Sequence, residues 1–542
     1  MPNGPMQIQP QTSASRLLRR AQRAHLSGEL TKAERLYNAL LHHHPDNFDA
    51  LHGLGELHCQ RGHHDTALVL IQAALRSDGD RADGFASLGL VFHCLRRYKD
   101  ALASYDAGLA LDPANAELLN RRGVALLELG RPREALENFE CVLAGDPQHF
   151  EALGNYGNAL IKLNRPQEAV AAYDRALSKV PENAQLLTNR AVALRRLDRP
   201  QEAVMSASRA LVGNPGFAQA RFVESVARLT LGDFAAGWRG YESRWSVGLL
   251  ASQRRGFTAP QWLGNQTPQH MLDGKVILLH AEQGFGDTIQ FARYAALVAR
   301  LGAAKVFLEV QRELKSLLTG IAGVDAVIAR GDPLPSFDLH CPLLSLPLAL
   351  ATELQTTPAD VPYVTATDEK IALWRDRLPP QRPLIGVAWS GDRGHDNDLN
   401  RSIALEMLAP LFEGAGATFV SLQYDLRESD QAAFRRCPNL FRLETKFSDF
   451  ADSAAVVSLM EAVVAVDTAV AHLAGAMAKP LLLLLPYAAD FRWLRERPDT
   501  PWYPSARLYR QPAFGDWPSA IAALRQDLLR ANFLNSARKL SA

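Results

Sequence analysis

Two short segments in the second half of this 542-residue chain bring carboxylate, hydroxyl, imidazole and glycine together at spacings that suit chemistry. The first, Glu282-Gln283-Gly284-Phe285-Gly286-Asp287, places Gly284 and Gly286 where a strand turns sharply into a helix. Such glycines let the backbone amides at a helix N-terminus approach a ligand. The third glycine of a dinucleotide fingerprint is missing, and Asp287 taken alone is accounted for as an N-cap carboxylate. The second segment, Val466-Asp467-Thr468-Ala469-Val470-Ala471-His472, closes an apolar strand and opens a helix. Thr468 and His472, four residues apart, share one helix face, so three polar side chains are aimed at one place. The plainer reading of this segment makes Asp467 a cap and His472 a satisfied core histidine.

The elements that must position these residues alternate between strand and helix. Val276 to His280 reads as an apolar strand, Asp287 to Leu301 as a helix and Lys305 to Val310 as the next strand. A second round starts at Pro383, with strands expected at Leu384 to Trp389, Thr418 to Leu422, Ala462 to Val466 and Leu481 to Leu485. This grammar implies two Rossmann-like lobes with the ligand in the cleft between them. The helix around Ser519 to Asn532 is expected to cross back to the first lobe. Asp490, Phe491, Arg492, Trp493, Trp502 and Tyr503 form an aromatic cluster that either walls the ligand pocket or seals the core.

The first half follows a different rule. Ala33, Ala67, Ala101, Ala135, Ala169 and Ala203 recur every 34 residues. Gly55, Gly89, Gly123 and Gly157, then Ala191, keep the same step, as do Pro45, Pro113, Pro147, Pro181 and Pro215. An aromatic or apolar residue follows each of the first five alanines by four positions (Tyr37, Ile71, Tyr105, Phe139, Tyr173), so each unit reads as two short helices. This closely resembles the tetratricopeptide (TPR) family, with six clear units over 14–217 and a worn seventh carrying Gly232, Gly237 and Tyr241. Arrays of this kind hold peptide or protein segments in a groove, or act as spacers. Asn120, Asn155, Asn158 and Asn189 stand at or near the helix A positions that normally face the groove, where amides can pair with an acceptor backbone of any sequence.

Composition excludes several classes. Hydrophobic residues at 47% and charged residues at 22% are ordinary for a globular chain. With 59 basic and 58 acidic residues there is no global positive field for nucleic acid. The first fifteen residues lack a signal-peptide core, and the longest aliphatic run, Leu481 to Leu485, is too short to span a bilayer, so a cytoplasmic location is expected. Cys59, Cys94, Cys141, Cys341 and Cys437 contain no Cys-x-x-Cys pair and are read as reduced core thiols. His42, His43, His44, His63 and His64 fall at inter-helix turns without ligand spacing on one face, so no metal site is assigned there. The acidic loop Asp392, Asp396 and Asp398, interleaved with Gly394 and Asn397, reads as a flexible solvated loop and not as a divalent-ion site.

Together, the glycine loop, the Asp-Thr-x-x-x-His element and the two-lobed pattern resemble the bacterial ADP-heptose:lipopolysaccharide heptosyltransferases (glycosyltransferase family 9), over roughly 274–529. The resemblance implies an inverting, metal-independent GT-B fold. It implies Asp287 as general base, and Asp467, Thr468 and His472 as donor-gripping residues. Its donor-side cation has Arg401 as nearest counterpart, and Gly284, Gly286 and Ser390 complete the donor side. The chain departs from the family with arginine in Asn400-Arg401-Ser402 where lysine is usual, and Ala469 where glycine is usual. Arginine still suits phosphate. A TPR array joined to such a domain is similar to O-linked N-acetylglucosamine transferases and to flagellin glycosyltransferases that recruit flagellin through TPRs. Inverting transfer needs a base for the acceptor hydroxyl and positive charge or a helix dipole for the departing diphosphate, and Asp287 and Arg401 fit those roles.

The expected plan is therefore an α-solenoid of TPR helix pairs over 14–245, a linker over 246–273 carrying Pro260, Gly264 and Pro268, and GT-B lobes over 274–380 and 381–535. The expected activity is transfer of a hexosyl- or heptosyl-type sugar from a nucleotide-sugar donor to a Ser or Thr hydroxyl of a protein in the TPR groove, with flagellin as a candidate. No cofactor is expected beyond that donor. Two other readings stand beside it: a lipopolysaccharide or other glycan acceptor, and a non-catalytic scaffold with a relic transferase domain.

Overall fold

The computed structural model describes residues 13–264, 272–414, 416–423 and 425–530. Pro268 of the linker, Asn532 and the 535 boundary lie outside the described residues. The chain divides into two compact units that meet between Leu186 and Leu187.

Fourteen helices among the described residues form seven pairs, from Ser13–Leu26 with Leu30–His43 to Ala218–Thr230 with Phe234–Tyr241. The glycine column exists because the two helices of a pair touch there. A Cβ at Gly55, Gly89, Gly123 or Gly157 would stand 2.6, 2.2, 2.5 or 2.5 Å from Ile71, Tyr105, Phe139 or Tyr173, well inside contact distance. The aromatic column of the second helix thus fills the groove that the glycines open, and the alanine column beside it is fully buried. Asn47 and Asn115 cap their helices by accepting from the amides of Ala50 and Leu118 at 2.9 and 3.0 Å. Pro132, Pro166 and Pro200 open theirs, where a missing amide hydrogen costs nothing.

A further 34-residue column sits at the turn inside each pair. Gly28, Gly62, Arg96, Gly130, Asn164, Asp198 and Gly232 all have φ between +52° and +81°. Every first helix ends on a left-handed residue, the conformation that glycine adopts without penalty. Three of the seven positions carry a side chain, which hides the column from a search for glycine.

The helix pairs end at Tyr241, but the compact unit that holds the sheets already begins at Leu187. Within that unit Asp198 pairs with Arg495 at 2.9 Å, and the buried Trp238 ring meets Phe491 edge-on at 5.6 Å. The last repeats are thus part of the same body as the α/β region. The linker joins that body too, since Trp262 is buried and bridges to the first sheet through the carbonyl of His340 at 2.8 Å.

Strands β1 (Val276–His280), β2 (Lys305–Val310), β3 (Ala326–Ala329) and β4 (Leu339–Pro342) form a parallel sheet in the order β3-β2-β1-β4. Strands β5 (Leu384–Ala388), β6 (Thr418–Ser421), β7 (Leu440–Arg442), β8 (Ala462–Val466), β9 (Leu481–Leu485) and β10 (Ala506–Arg510) form a second, ordered β10-β9-β8-β5-β6-β7 and also parallel. Central strands such as β5, β8 and β9 are buried along their whole length, which is why they read as unbroken aliphatic runs.

Several expectations need correction. The helix expected from Asp287 to Leu301 is two, Phe285–Ala292 and Ala295–Arg300. The break falls at Arg293, whose buried guanidinium turns inward to the carbonyls of Pro358 and Trp502 at 2.6 and 2.7 Å. The terminal helix Trp517–Leu529 does not cross back: Trp517, Ile521, Leu524 and Leu528 share a core with Ile385, Val387 and Leu484 of the second lobe. Only Cys341 and Cys437 are buried thiols, while Cys94 and Cys141 are exposed and Cys59 is half-buried. Asp398 is no solvated loop residue, since it is buried and paired with Arg427 at 2.7 Å. No helix of the described residues is long and apolar enough to cross a membrane.

Candidate functional site

The two segments singled out by spacing meet where the lobes face each other. Helix Phe285–Ala292 of the first lobe lies directly against helix Ala469–Ala476 of the second. Gly286 makes that approach possible, because a Cβ there would stand 2.6 Å from Cδ2 of His472. His472 cannot retreat. Its Nδ1 shares a hydrogen bond with the Tyr503 hydroxyl at 3.0 Å, and its ring stacks on Trp493 at 5.4 Å. Burial, reinforced by the Arg492 charge, pushes its pKa down to about 3, so the ring is neutral. Asp467 Oδ1 lies 3.9 Å from His472 Nε2.

Asp287 sits at the third position of its helix. Its Oδ2 accepts from the Gly284 amide at 2.9 Å, which is the capping role, and its Oδ1 is paired with Arg492. Each carboxylate oxygen keeps a second lone-pair site. The side chain retains 21% of its exposure, the most of any acidic or basic member of the Asp287, Arg492, Asp467 and His472 group. The loop itself is pinned: Thr288 Oγ1 donates to Gln311 Oε1 at 2.9 Å, and Gln311 Nε2 donates to the Gln283 carbonyl at 2.7 Å. Glu282, fully sequestered behind the loop, accepts from Arg244 at 3.0 Å and from the Leu344 amide at 3.2 Å. Burial pushes its pKa up to about 7.

Arg492 is the hub that spacing did not single out as a site residue. Besides Asp287 it donates to Asp490 at 2.7 Å and, through Nε, to Gln290 Oε1 at 2.8 Å, tying the second lobe to the first-lobe helix. Burial alone would raise Asp490, but the charge and N–H groups of Arg492 hold it below the usual carboxylate range. Burial, together with the neighbouring Asp490, pushes Asp467 up. The signal present in the sequence was the pair of charges, Asp490 and Arg492, inside an aromatic run. The aromatic cluster itself is core: Phe491, Trp493, Trp502 and Tyr503 are buried, and Trp493 and Tyr503 hold His472.

The buried polar atoms of the second lobe that lack a hydrogen-bond partner include Ser390 Oγ, Arg401 Nε and Thr468 Oγ1. Ser390 follows β5 and Thr468 follows β8, neighbouring strands, so both lie beyond the C-terminal edge of the sheet. Arg401 joins them by donating from Nη1 to the Asp467 carbonyl at 3.1 Å. Two hydroxyls and a guanidinium nitrogen left unpaired beside the opening of helix Ala469–Ala476 form a set suited to an anion with several acceptor oxygens. Arg401 and Arg492 both act on Asp467 and His472 electrostatically, so these residues share one environment.

The four asparagines divide. Asn155 Nδ2 donates to Asn120 Oδ1 at 3.0 Å, linking the first helices of adjacent repeats, and both are partly exposed. Asn158 instead accepts from the Tyr173 hydroxyl at 2.8 Å, because its face points at the second helix of its own repeat. This bond fastens the two helices of the pair together. Asn189 lies in helix Ala184–Arg196, in the other compact unit. Among the described residues, clustered metal-type ligands occur in the repeats and not at the inter-lobe site.

Comparison with known proteins agrees with the first half of this architecture. Tetratricopeptide repeat models match residues 24–88, 88–148, 120–185 and 155–218, so this is a TPR-containing protein. The curated relative Protein FlbA of Caulobacter vibrioides is 24% identical over 328 residues, 55% of this chain and 53% of that protein. The chain thus spans about half the length of the relative it matches. Similar solved structures include a tetratricopeptide repeat protein from Parabacteroides merdae, with 18% identity, a TM-score of 0.38 and coverage of 44% of this chain and 93% of that one. YrrB, a TPR protein with an unusual peptide-binding site, gives 19% identity, a TM-score of 0.29 and coverage of 34% and 95%.

Proposed function

We propose that this chain is an inverting, metal-independent glycosyltransferase of GT-B type, acting in the cytoplasm on a protein acceptor that its repeats recruit. The observation that supports this most strongly is the unpaired trio Ser390 Oγ, Arg401 Nε and Thr468 Oγ1 on the lobe facing Asp287. Those atoms have the hydrogen-bond demand that the diphosphate of a nucleotide sugar supplies. Asp287, fixed by Arg492 and Gly284, is the base: a free lone pair takes the proton of the acceptor Ser or Thr hydroxyl. The hydroxyl oxygen bonds to the anomeric carbon as the bond from that carbon to the diphosphate oxygen breaks, and the electron pair leaves on the diphosphate. Arg401 and the helix N-terminus at Thr468 stabilise that charge.

His472, being neutral, has a positioning role between Asp467 and Tyr503 and no charge for phosphate. Asn120 and Asn155 are the groove amides for the acceptor backbone, and the resemblance to flagellin glycosyltransferases makes flagellin the first acceptor to try. A thermal-shift panel of nucleoside diphosphates and nucleotide sugars tests the donor half of the reading. At least one should raise the melting temperature of the wild type, and Ser390→Ala, Arg401→Ala and Thr468→Val should each reduce the shift. No shift with any nucleotide, or a shift that all three variants retain, refutes the donor site.

A further inference from the structure

One cluster of chemically reactive side chains lies in the second and third repeats. Cys59 lies near the end of helix Phe48–Gln60, His64 opens helix His64–Ser77, and Cys94 ends helix Ala82–Cys94. Two sulfurs and an imidazole nitrogen all lie within 4.8 Å of one another, and Cys59 Sγ to His64 Nδ1 is 3.9 Å. The cysteines stand 35 residues apart, one repeat and one residue, so no sequence spacing announces them. Stacking of the repeats alone brings them together.

These are not core thiols. Cys94 is exposed, and Cys59 and His64 are half-buried. Zinc–sulfur and zinc–nitrogen bonds of about 2.3 and 2.0–2.1 Å at a tetrahedral angle put neighbouring ligand atoms roughly 3.5–3.8 Å apart. The observed 3.9 Å needs only a small contraction to reach that edge. Thiolate and imidazole select soft or borderline cations over magnesium or calcium. His58 and His63, near the same turn, have Nδ1 atoms 3.4 Å apart.

We propose that Cys59, His64 and Cys94 bind one soft or borderline cation of the zinc class, with a fourth position open on the exposed side of Cys94. Binding releases the two thiol protons to solvent and leaves both sulfurs as thiolates. The cation staples both helices of the second repeat to the first helix of the third. This inference does not depend on the transferase reading, since its ligands all lie in the repeats.

The test uses untagged, reduced, full-length protein titrated with Co²⁺ and then Zn²⁺. The expected result is one equivalent of Co²⁺ with a thiolate-to-cobalt charge-transfer band, displaced by Zn²⁺. Cys59→Ser and Cys94→Ser should each abolish the band or weaken binding on the order of a hundredfold, and His64→Ala should weaken it. Cys141→Ser, an exposed thiol elsewhere, should leave it unchanged. Helical circular dichroism confirms folding, and the exposed Cys94 carries the test should Cys59→Ser fail to fold. A wild type whose thiols titrate freely yet gives no thiolate band overturns the proposal. So does a band that forms in Cys94→Ser with the affinity and intensity of the wild type, or recovery of a Cys59–Cys94 disulfide from protein alkylated at lysis.

Discussion

Replacing Gly286 by alanine probes how closely the two lobes must approach. The new Cβ would lie 2.6 Å from Cδ2 of His472 and 3.5 Å from Cα of Ala469. Carbon atoms rest at about 3.5–4.0 Å, so relief takes a shift of roughly 1 Å. His472 cannot supply it, stacked on Trp493 and bonded to Tyr503 on its other edge, so the helices themselves must part. Overpacking of this kind costs about 1–3 kcal/mol, and a misplacement of about 1 Å between base and donor lowers turnover on the order of a hundredfold. Gly284→Ala is the control, since its Cβ meets only Asp287 Oδ2 at 3.2 Å at an ordinary φ of −70°, and it should cost less than about 1 kcal/mol. Denaturant melts give the stability term and single-turnover transfer gives the rate. If Gly286→Ala matches the wild type in both, or Gly284→Ala is the more damaging of the two, the account of the interface is wrong.

Other substitutions report on separate parts of the site. Arg492→Met removes the shared partner of Asp287 and Asp490, and leaving those carboxylates uncompensated should cost about 3–5 kcal/mol in urea melts. His472→Gln should change the acid side of the stability profile: the folded pKa of about 3 lies below the unfolded value of 6.5, so this histidine's contribution is full above pH 6.5 and drains as pH falls toward 3. The gap between wild type and variant should therefore shift by about 1.4 kcal/mol per pH unit below 6.5, in melts at pH 5, 6 and 7, and a constant gap contradicts a neutral buried ring. Arg96→Gly should stabilise the protein by roughly 0.5–1 kcal/mol, because an exposed arginine holds the left-handed turn position with φ +57°, and a lower melting temperature counts against that strain. Asn155→Ala should slow modification of the protein acceptor at low acceptor concentration while leaving the nucleotide-induced thermal shift untouched.

What could be read in advance follows from range along the chain. The repeats were visible because a 34-residue period repeats the same local packing, and β1, β8 and β9 because strands buried on both sides are unbroken aliphatic runs. The segments that carry Asp287 and Asp467 to His472 were legible as strand-to-helix junctions, and the structure brings those two junctions together. Arg492 was not singled out, since its partner Asp287 is 205 residues away and nothing local distinguishes an arginine that bridges lobes from one that covers a core. The left-handed turn column escaped because Arg96, Asn164 and Asp198 replace glycine in it. The cysteine cluster escaped because Cys94 comes from the repeat after the one that carries Cys59 and His64.

In the proposed reaction Asp287 drives sugar transfer to a protein. The most direct test is intact mass of a candidate acceptor, flagellin first, co-expressed with the wild type or with Asp287→Asn. The carboxamide keeps the size of the side chain and a hydrogen bond from Gly284 but loses the base, so turnover should fall by about a hundredfold or more. The expected result is an acceptor heavier by whole sugar units with the wild type and unmodified with Asp287→Asn, at equal levels of folded enzyme. Acceptor modified equally by both, or a glycan modified while every protein stays unchanged, contradicts it.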